Sequence, residues 1–516
     1  MAKIICLLGK SCSGKDTIYK KLQNGSDVRG SAIATDTEPL NLTGEIASEI
    51  AASFVAFMEK RTGKDRKDLR LGVGHDSRLT ADIMKAGVLA GFAGAQGFDC
   101  GLVTTPAMFI STVLAESNFD GAVMITASHL PFNRNGLKFF TREGGLEKAD
   151  ITEILKGAAE LHDAGLTPKA EGITFPAFDL VTLYSNHMMD IIKKEVNAVD
   201  YEKPLAGLRI AVDSGNGASG FFASRILVPL GADITGSRYL EPDGHFPNHI
   251  PNPENKDAMA AIREAVLSSH ADLGVIFDCD GDRGAAVFAD GTEVNRNALI
   301  ALMSAILAPA HPDAVIVTDS VTSDELQAFI ENELHLTHLR FKRGYKNVIN
   351  KGIELTKEGK DCPLAIETSG HGALAENYFS DDGAYLCVKI ICEMARLKKD
   401  GRRIEELIGK LGYPAEEREV RLTIAGENFA DYGRAMLDDF TAFAKERDDF
   451  TIVTPNFEGV RIAFDDEEVK GWMLVRLSLH DPVIPINIES KAVGGVDVIL
   501  DRVRPFFAKY ERLSAL

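Results

Sequence analysis

Apolar runs of strand length alternate with segments of helical periodicity along most of this chain, and that alternation restricts it to layered α/β domains. The runs Leu71–Val73, Ala122–Ile125, Leu208–Val212, Leu273–Phe277 and Ala314–Val317 read as strands, and Leu42–Met58 reads as a helix. Strands separated by helices predict largely parallel sheets. A single core stops growing beyond about 250–300 residues, so 516 residues require several domains. Proline-bearing polar stretches at Asp200–Pro204, Ala308–Asp313 and Gly412–Glu417 each precede a new strand. They predict domains at 23–203, 204–310, 311–416 and 417–516, with no internal sequence repeat among them.

Charge and cysteine usage narrow the function classes. A formal net charge of -19 argues against nucleic-acid binding, which needs a basic face. An anionic substrate then depends on local cations, and the basic residues that matter are those beside glycines and hydroxyls. No apolar run approaches the ~20 residues that span a bilayer, and Ile4–Leu8 is shorter than the roughly 7–15 residues of a signal-peptide core. The seven cysteines are odd in number and form no CxxC pair, so neither a disulfide framework nor a zinc site is indicated. The expected location is the cytoplasm, with neither nucleic acid nor membrane as partner. The oligomeric state is left open.

Residues 1–22 stand apart. Gly9 to Lys15 fits the G-x-x-x-x-G-K part of a phosphate-binding loop, but Asp16 takes the Ser/Thr position. Too little chain comes after it for a nucleotide-binding domain, so 1–22 is expected to be a remnant without a catalytic role.

Four loops carry the chemistry. Thr126-Ala127-Ser128-His129-Leu130-Pro131 follows the strand Gly121–Ile125, where a serine points into the crevice at the strand end. His129, Asn133, Asn135, Gly136 and Lys138 lie close by, although an ordinary turn with a capping serine has the same composition. Asp278-Cys279-Asp280-Gly281-Asp282-Arg283 follows Leu273–Phe277. Carboxylates at alternating positions around a glycine can converge on one hard cation, and Mg²⁺ prefers such oxygen ligands. An EF-hand would need a glutamate where Ala289 stands. A haloacid-dehalogenase phosphatase would use Asp278 as nucleophile, but usually has threonine or valine where Asp282 stands.

Glu367-Thr368-Ser369-Gly370-His371 could hold a vicinal diol, though an ordinary polar loop has the same composition. Arg476-Leu477-Ser478, with His480-Asp481-Pro482 after it, could grip a phosphate through the arginine fork. By itself it reads equally as a surface strand.

In this order the loops resemble the α-D-phosphohexomutase superfamily, the phosphoglucomutases, phosphomannomutases and their relatives. The likeness begins near Asn24, with Gly25-Ser26-Asp27-Val28-Arg29-Gly30. It continues through Gly74-His75-Asp76-Ser77-Arg78, Thr105-Pro106, Pro242-Asp243-Gly244 and Pro251-Asn252-Pro253-Glu254. The resemblance implies four domains around a central cleft, three related mixed-sheet α/β domains and a smaller α+β C-terminal domain. It implies a hexose 1-phosphate/6-phosphate mutase working through a 1,6-bisphosphate on glucose or mannose phosphates. Ser128 would carry the phosphoryl group and, with Asp278, Asp280 and Asp282, bind Mg²⁺. Glu367 and Ser369 would hold sugar hydroxyls, while Arg476, Ser478 and His480 would hold the phosphate that is not reacting. Arg29, His129, Lys138, Arg283 and His371 would line the reacting centre. The chain departs from the family at Leu130, at Ile366, and at Leu479, His480 and Asp481, where His480 replaces a neutral hydroxyl with a titratable donor. Rival readings are a phosphoglucosamine mutase, a sugar-phosphate phosphatase and a non-catalytic sugar-phosphate sensor.

Overall fold

The computed structural model describes residues 19–169, 174–478 and 481–516. The glycine-rich stretch Gly9–Lys15 and the departures Leu479 and His480 lie outside them. The chain divides into two compact units: one runs up to Val294 and takes in Ser380–Arg402, the other comprises Asn295–Phe379 and Arg403–Leu516.

Among the described residues the first unit contains two sheets. Strands β1 (Asp27–Ser31), β2 (Arg70–His75), β3 (Gln96–Leu102), β4 (Gly121–Ile125) and β5 (Arg134–Thr141) form the first, in the order β1-β5-β4-β2-β3. β2 runs parallel to β3 and β4, and β5 returns antiparallel to β4. Helix α1 (Gly44–Thr62) opens with Thr43 Oγ1 accepting from Ile46 N at 3.2 Å and closes on left-handed Gly63. It packs on α2 (Ala81–Gly91) and α3 (Lys148–Asp163) over this sheet. Tyr19 and Leu22 are buried in the same core, and the Tyr19 hydroxyl donates to buried Glu49. The packed fold therefore begins before residue 23: residues 19–22 belong to it and are not part of a detached remnant.

After α4 (Leu180–Val196), the second sheet holds β6 (Ile210–Asp213), β7 (Leu273–Phe277), β8 (Gly284–Phe288) and β9 (Glu293–Val294). β6 and β7 are parallel, and β8 is antiparallel to β7. Helix α5 (Lys256–Ser269) covers the face bearing Gly274, Ile276, Ala285 and Val287.

The second unit opens with α6 (Arg296–Leu307) and the sheet β11-β10-β12-β13. Its strands are β10 (Val315–Thr318), β11 (Thr337–Arg340), β12 (Leu364–Ile366) and β13 (Gly372–Leu374), with α7 (Tyr345–Lys357) against them. β10 is parallel to β11 and β12, and β13 is antiparallel to β12. The proline-bearing stretch 308–313 is thus a turn within this unit, because α6 packs against β12 on its far side.

Helix α8 (Gly383–Lys399) belongs to the first unit and covers the other face of the second sheet, with the backbone of Gly383 directly against Arg283 and Gly284. The C-terminal region is an antiparallel sheet ordered β14-β17-β16-β15, comprising β14 (Glu416–Thr423), β15 (Val460–Phe464), β16 (Gly471–Val475) and β17 (Val483–Ser490). Helices α9 (Phe429–Lys445) and α10 (Gly495–Phe507) pack on it.

The expectation of largely parallel sheets is met on one side of each of the first three and fails on the other. In each, the last parallel strand is followed by an antiparallel return, so its C-terminal loop is a hairpin. Those hairpins are β4–β5 with Ser128, β7–β8 with the aspartates, and β12–β13 with Glu367. The connection β16–β17 carries Arg476 and Ser478. Hairpin ends hold both flanks of a loop by ladder hydrogen bonds, which suits side chains that must be placed accurately. Among the described residues no helix is long and apolar enough to cross a membrane.

Candidate active site

In the first unit, Ser128 adopts a left-handed backbone (φ 52), a conformation costing an L-residue of this kind roughly 1–2 kcal/mol. Two contacts hold it there. Its N–H donates to Thr126 Oγ1 at 2.7 Å, and its carbonyl accepts from the Arg78 guanidinium. The same guanidinium takes the carbonyls of Leu130, Pro131 and Arg134, the last two at 2.8 Å. Arg78 is therefore the internal scaffold of the serine loop. Its N–H meets Asp76 Oδ1 at 3.0 Å, and burial holds the Asp76 carboxyl above its usual range although Arg78 pulls it down.

The Ser128 hydroxyl points at the aspartate loop. Ser128 Oγ donates to Asp278 Oδ2 at 3.1 Å, accepts from Arg283 Nη2 at 2.9 Å and lies 3.3 Å from His129 Nδ1. Arg283 Nη2 also contacts His129 Nδ1. Arginine can only donate, so Nδ1 is an acceptor and the imidazole proton sits on Nε2. Arg29 reaches the loop from β1 and donates to the Thr126 carbonyl and to Asp27 Oδ2, the latter at 2.7 Å. It passes over Gly136, where a Cβ would lie 2.8 Å from Arg29 Cδ and 2.2 Å from the Val28 carbonyl.

The acidic loop is built by its own backbone. Asp278 Oδ1 accepts from Gly281 N at 2.9 Å, and Gly281 sits at φ 74, closing the turn. Carboxylate oxygens of Asp278, Asp280 and Asp282 converge within 4.8 Å of one another, all buried. Lys138 Nζ bridges Asp280 Oδ2 at 2.9 Å and Asp282 Oδ2 at 2.5 Å. Burial alone would lower the Lys138 ammonium, but Asp280 and Asp282 outweigh it and hold it well above its ordinary value. Burial likewise pushes Asp280 up, and Lys138 and Thr105 overcome that push, keeping the carboxyl ionised. Asp280 Oδ1 is buried with no hydrogen-bond partner. An orphaned carboxylate oxygen at a cluster of oxygen donors fits a hard divalent cation.

In the second unit, Glu367 receives Gly344 N on Oε1 at 2.6 Å and Ser369 Oγ on Oε2 at 3.2 Å. The His371 ring stacks on Tyr345 with centroids 5.0 Å apart, and its carbonyl accepts Glu367 N at 2.8 Å. Thr368 Oγ1 donates to Asp319 Oδ2 at 2.7 Å. Burial and the neighbouring Asp319 push the Glu367 carboxyl up to about 7, against His371 and Arg343. The folded state thus holds a proton that the unfolded chain, titrating near 4.5, has already released. Stability therefore falls as pH rises from about 4.5 to about 7. Glu367→Gln should flatten that part of the thermal-stability profile, read as Tm against pH for both proteins. Parallel profiles would place the Glu367 titration elsewhere.

Arg476 lies 3.8 Å from Glu458 Oε1, and its Nε is buried with no hydrogen-bond partner. Burial lowers the guanidinium, Glu458 raises it and Arg343 lowers it further, so an added anion would relieve the site. Ser478 N is tied to Val483 O at 3.1 Å across the start of the β16–β17 hairpin.

The structure thus gathers Ser128, His129, Lys138, Arg29, Arg283 and the three aspartates in one unit. Glu367, Ser369 and His371 come together in the other, where Arg476 and Ser478 also lie. Roles for Arg78, Asp76, Thr105, Asn252, Glu254, Asp319, Arg343 and Glu458 went unread from sequence. Arg343 did carry a signal, a cation beside the glycine that starts α7.

Three family models match: the phosphoglucomutase/phosphomannomutase alpha/beta/alpha domains I over residues 20–163, II over 184–291 and III over 295–411. A phosphomannomutase/phosphoglucomutase of Pseudomonas aeruginosa is 26% identical over 474 residues, 90% of this chain and 93% of that one. A protein of Methanopyrus kandleri named as a probable phosphoglucosamine mutase is 30% identical over 435 residues, 82% of this chain and 86% of that one. A crystal structure of a phosphoglucomutase/phosphomannomutase family protein from Burkholderia thailandensis has the same fold, with TM-score 0.76 at 24% identity over 96% of this chain and 98% of that one. The chain belongs to the phosphoglucomutase/phosphomannomutase family, the α-D-phosphohexomutases, which are isomerase-type phosphotransferases.

Proposed function

We propose that this protein interconverts hexose 1-phosphates and hexose 6-phosphates through a phosphoserine at Ser128 and a hexose 1,6-bisphosphate, with glucose and mannose phosphates as substrates. The observation that carries this reading is the convergence of Asp278 Oδ2 and Arg283 Nη2 on Ser128 Oγ, at 3.1 and 2.9 Å. Asp278, Asp280 and Asp282 would hold Mg²⁺ together with the Ser128 phosphate, and the ion would supply positive charge to the transferring oxygens. Phosphoryl transfer needs in-line placement and charge neutralisation more than covalent help. Arg283 meets the oxygen to which the phosphoryl group attaches, while Lys138 and Arg29 add positive charge around it. The Ser128 O–P bond breaks as the sugar 6-hydroxyl oxygen bonds phosphorus, and the proton that hydroxyl gives up balances the one Ser128 Oγ takes up on leaving. The resulting bisphosphate then returns its other phosphate to Ser128. Glu367 and Ser369 would bind sugar hydroxyls, and Arg476 and Ser478 the phosphate that is not reacting.

Coupled assays with glucose, mannose and glucosamine 1-phosphates, with and without the matching 1,6-bisphosphate, test the reading. Turnover of glucose or mannose phosphate stimulated by bisphosphate is expected. A clear preference for glucosamine phosphate would favour the activity in the name of the Methanopyrus relative. Phosphopeptide mapping separates a phosphate on Ser128 from one on Asp278, which would mean a phosphatase.

A further inference from the structure

The segment 247–254 runs from Pro247 to Glu254 just ahead of α5, and its centre is a buried histidine that the reacting groups do not touch. The His249 side chain is 2% exposed, with Nε2 3.1 and 3.2 Å from the two carboxylate oxygens of Asp213 at the end of β6. Its Nδ1 lies 3.0 Å from the carbonyl oxygen of Ile250. A carbonyl and a carboxylate accept and do not donate. Both ring nitrogens must therefore donate, which the imidazolium does and either neutral tautomer cannot. Two further groups bear on the ring: Tyr239, edge-on at 5.3 Å, and Asp257 in the first turn of α5, whose charge favours the cation.

The segment is pinned beside the histidine by Asn248 Nδ2 donating to Asn216 Oδ1 at 2.7 Å. A few residues on, Asn252 Oδ1 accepts from Arg283 Nη1 at 3.1 Å, and Glu254 Oε2 lies 3.8 Å from the same nitrogen. The other arm of that guanidinium is the one that meets Ser128 Oγ. A chain of contacts therefore runs from Asp213 through His249 to the Ile250 carbonyl, which also accepts from Asn252 N at 2.8 Å, and on through Asn252 and Arg283 to the reacting oxygen.

We propose that His249 is a positioning residue: as an imidazolium on Asp213 it fixes segment 247–254, so that Asn252 and Glu254 hold Arg283 against Ser128 Oγ. The inference rests on the phosphoserine reading above for its consequence in turnover, though not for the state of the ring. Burial alone would lower the His249 pKa, but the Asp213 contact outweighs it and holds it above the ordinary value. The hold is therefore complete at low pH and is lost as pH rises through that raised value.

Two measurements decide it. In full-length protein labelled with ¹³C in the histidine rings, the resonance lost in His249→Gln should titrate above the ordinary range near 6.5, and Asp213→Asn should bring it down. A ring already neutral at about pH 6.5 overturns the proposal. Glutamine can donate to Asp213 but not also to the Ile250 carbonyl, so His249→Gln mimics the deprotonated state. Its kcat should be about tenfold below wild type near pH 6.5, with KM little changed, and the ratio should close towards one by about pH 9.5. A ratio constant across that range overturns it. A wild type with no mutase turnover would instead sink the phosphoserine reading, and the ring titration would still show whether His249 is charged on Asp213.

Discussion

Ser128→Ala is expected to leave a folded protein whose mutase turnover is lower by on the order of 10³-fold or more. The hydroxyl meets both Asp278 and Arg283, and nothing on alanine can carry a phosphoryl group. The fold should survive for two reasons. The left-handed backbone at this position is set by Thr126 and by the Arg78 guanidinium, neither of which contacts the hydroxyl. Alanine also tolerates that backbone about as well as serine does. Removing the hydroxyl takes one donor from Asp278 Oδ2, but Arg283 Nε still reaches that oxygen at 3.2 Å. Tm should therefore move by only a few degrees. The check pairs the coupled assay with a thermal melt and with phosphate incorporation from labelled bisphosphate. A variant that keeps more than about one per cent of wild-type turnover would show that Ser128 does not carry the phosphoryl group.

How much of this was legible in the sequence depends on whether a feature is local. The runs Gly121–Ile125 and Leu273–Phe277 are buried throughout, and a continuous apolar strand ending in chemistry-bearing residues can be read directly. The return strand β8 could not be read in direction, because Gly284–Phe288 is as apolar and as buried as the parallel pair β6 and β7 in the same sheet. Nothing in its composition separates a hairpin from a crossover. The predicted domain 311–416 takes in helix α8 for a related reason. Sequence order places it after the Glu367 loop, yet it packs over Gly284, more than ninety residues earlier, on the face of the second sheet opposite α5. Arg78 shows the limit on the site itself. Its motif was visible, but a guanidinium whose work is to gather the carbonyls of Ser128, Leu130, Pro131 and Arg134 has no signature apart from the fold that brings them there. Conversely, the three aspartates were legible because three carboxylates within five residues repel one another unless a cation is supplied.

The Lys138 ammonium supplies only part of that cation, and this shortfall underlies the second large effect, on Asp280→Asn. Asp280 Oδ2 is already committed to Thr105 Oγ1 and to Lys138, whereas Oδ1 is buried and has no hydrogen-bond partner. A buried, unmatched oxygen of an ionised group is tolerable in a resting protein if an ion completes it. Asparagine keeps the shape and the contact with Thr105, but removes a charge and can present an N–H where an oxygen is required. Activity should fall by on the order of 10²-fold or more, and Mg²⁺ affinity by at least about tenfold. The two readouts are separable: calorimetric titration of metal-stripped protein with Mg²⁺ measures the site, and the coupled assay measures its use. Wild type dialysed against chelator should lose turnover and regain it with Mg²⁺, while Ca²⁺, larger and more loosely coordinated, should restore it poorly. Acidification offers a control. Lys138 and Thr105 hold the Asp280 carboxyl far below its usual range against the push of burial. Its charge is therefore fully present above the ordinary carboxylate range, and would be lost only as pH fell well below it. A decline in metal affinity beginning near pH 6 would have to come from another group. Full turnover in excess chelator, or Mg²⁺ binding unchanged in Asp280→Asn, would mean that the acidic loop does not hold a catalytic metal.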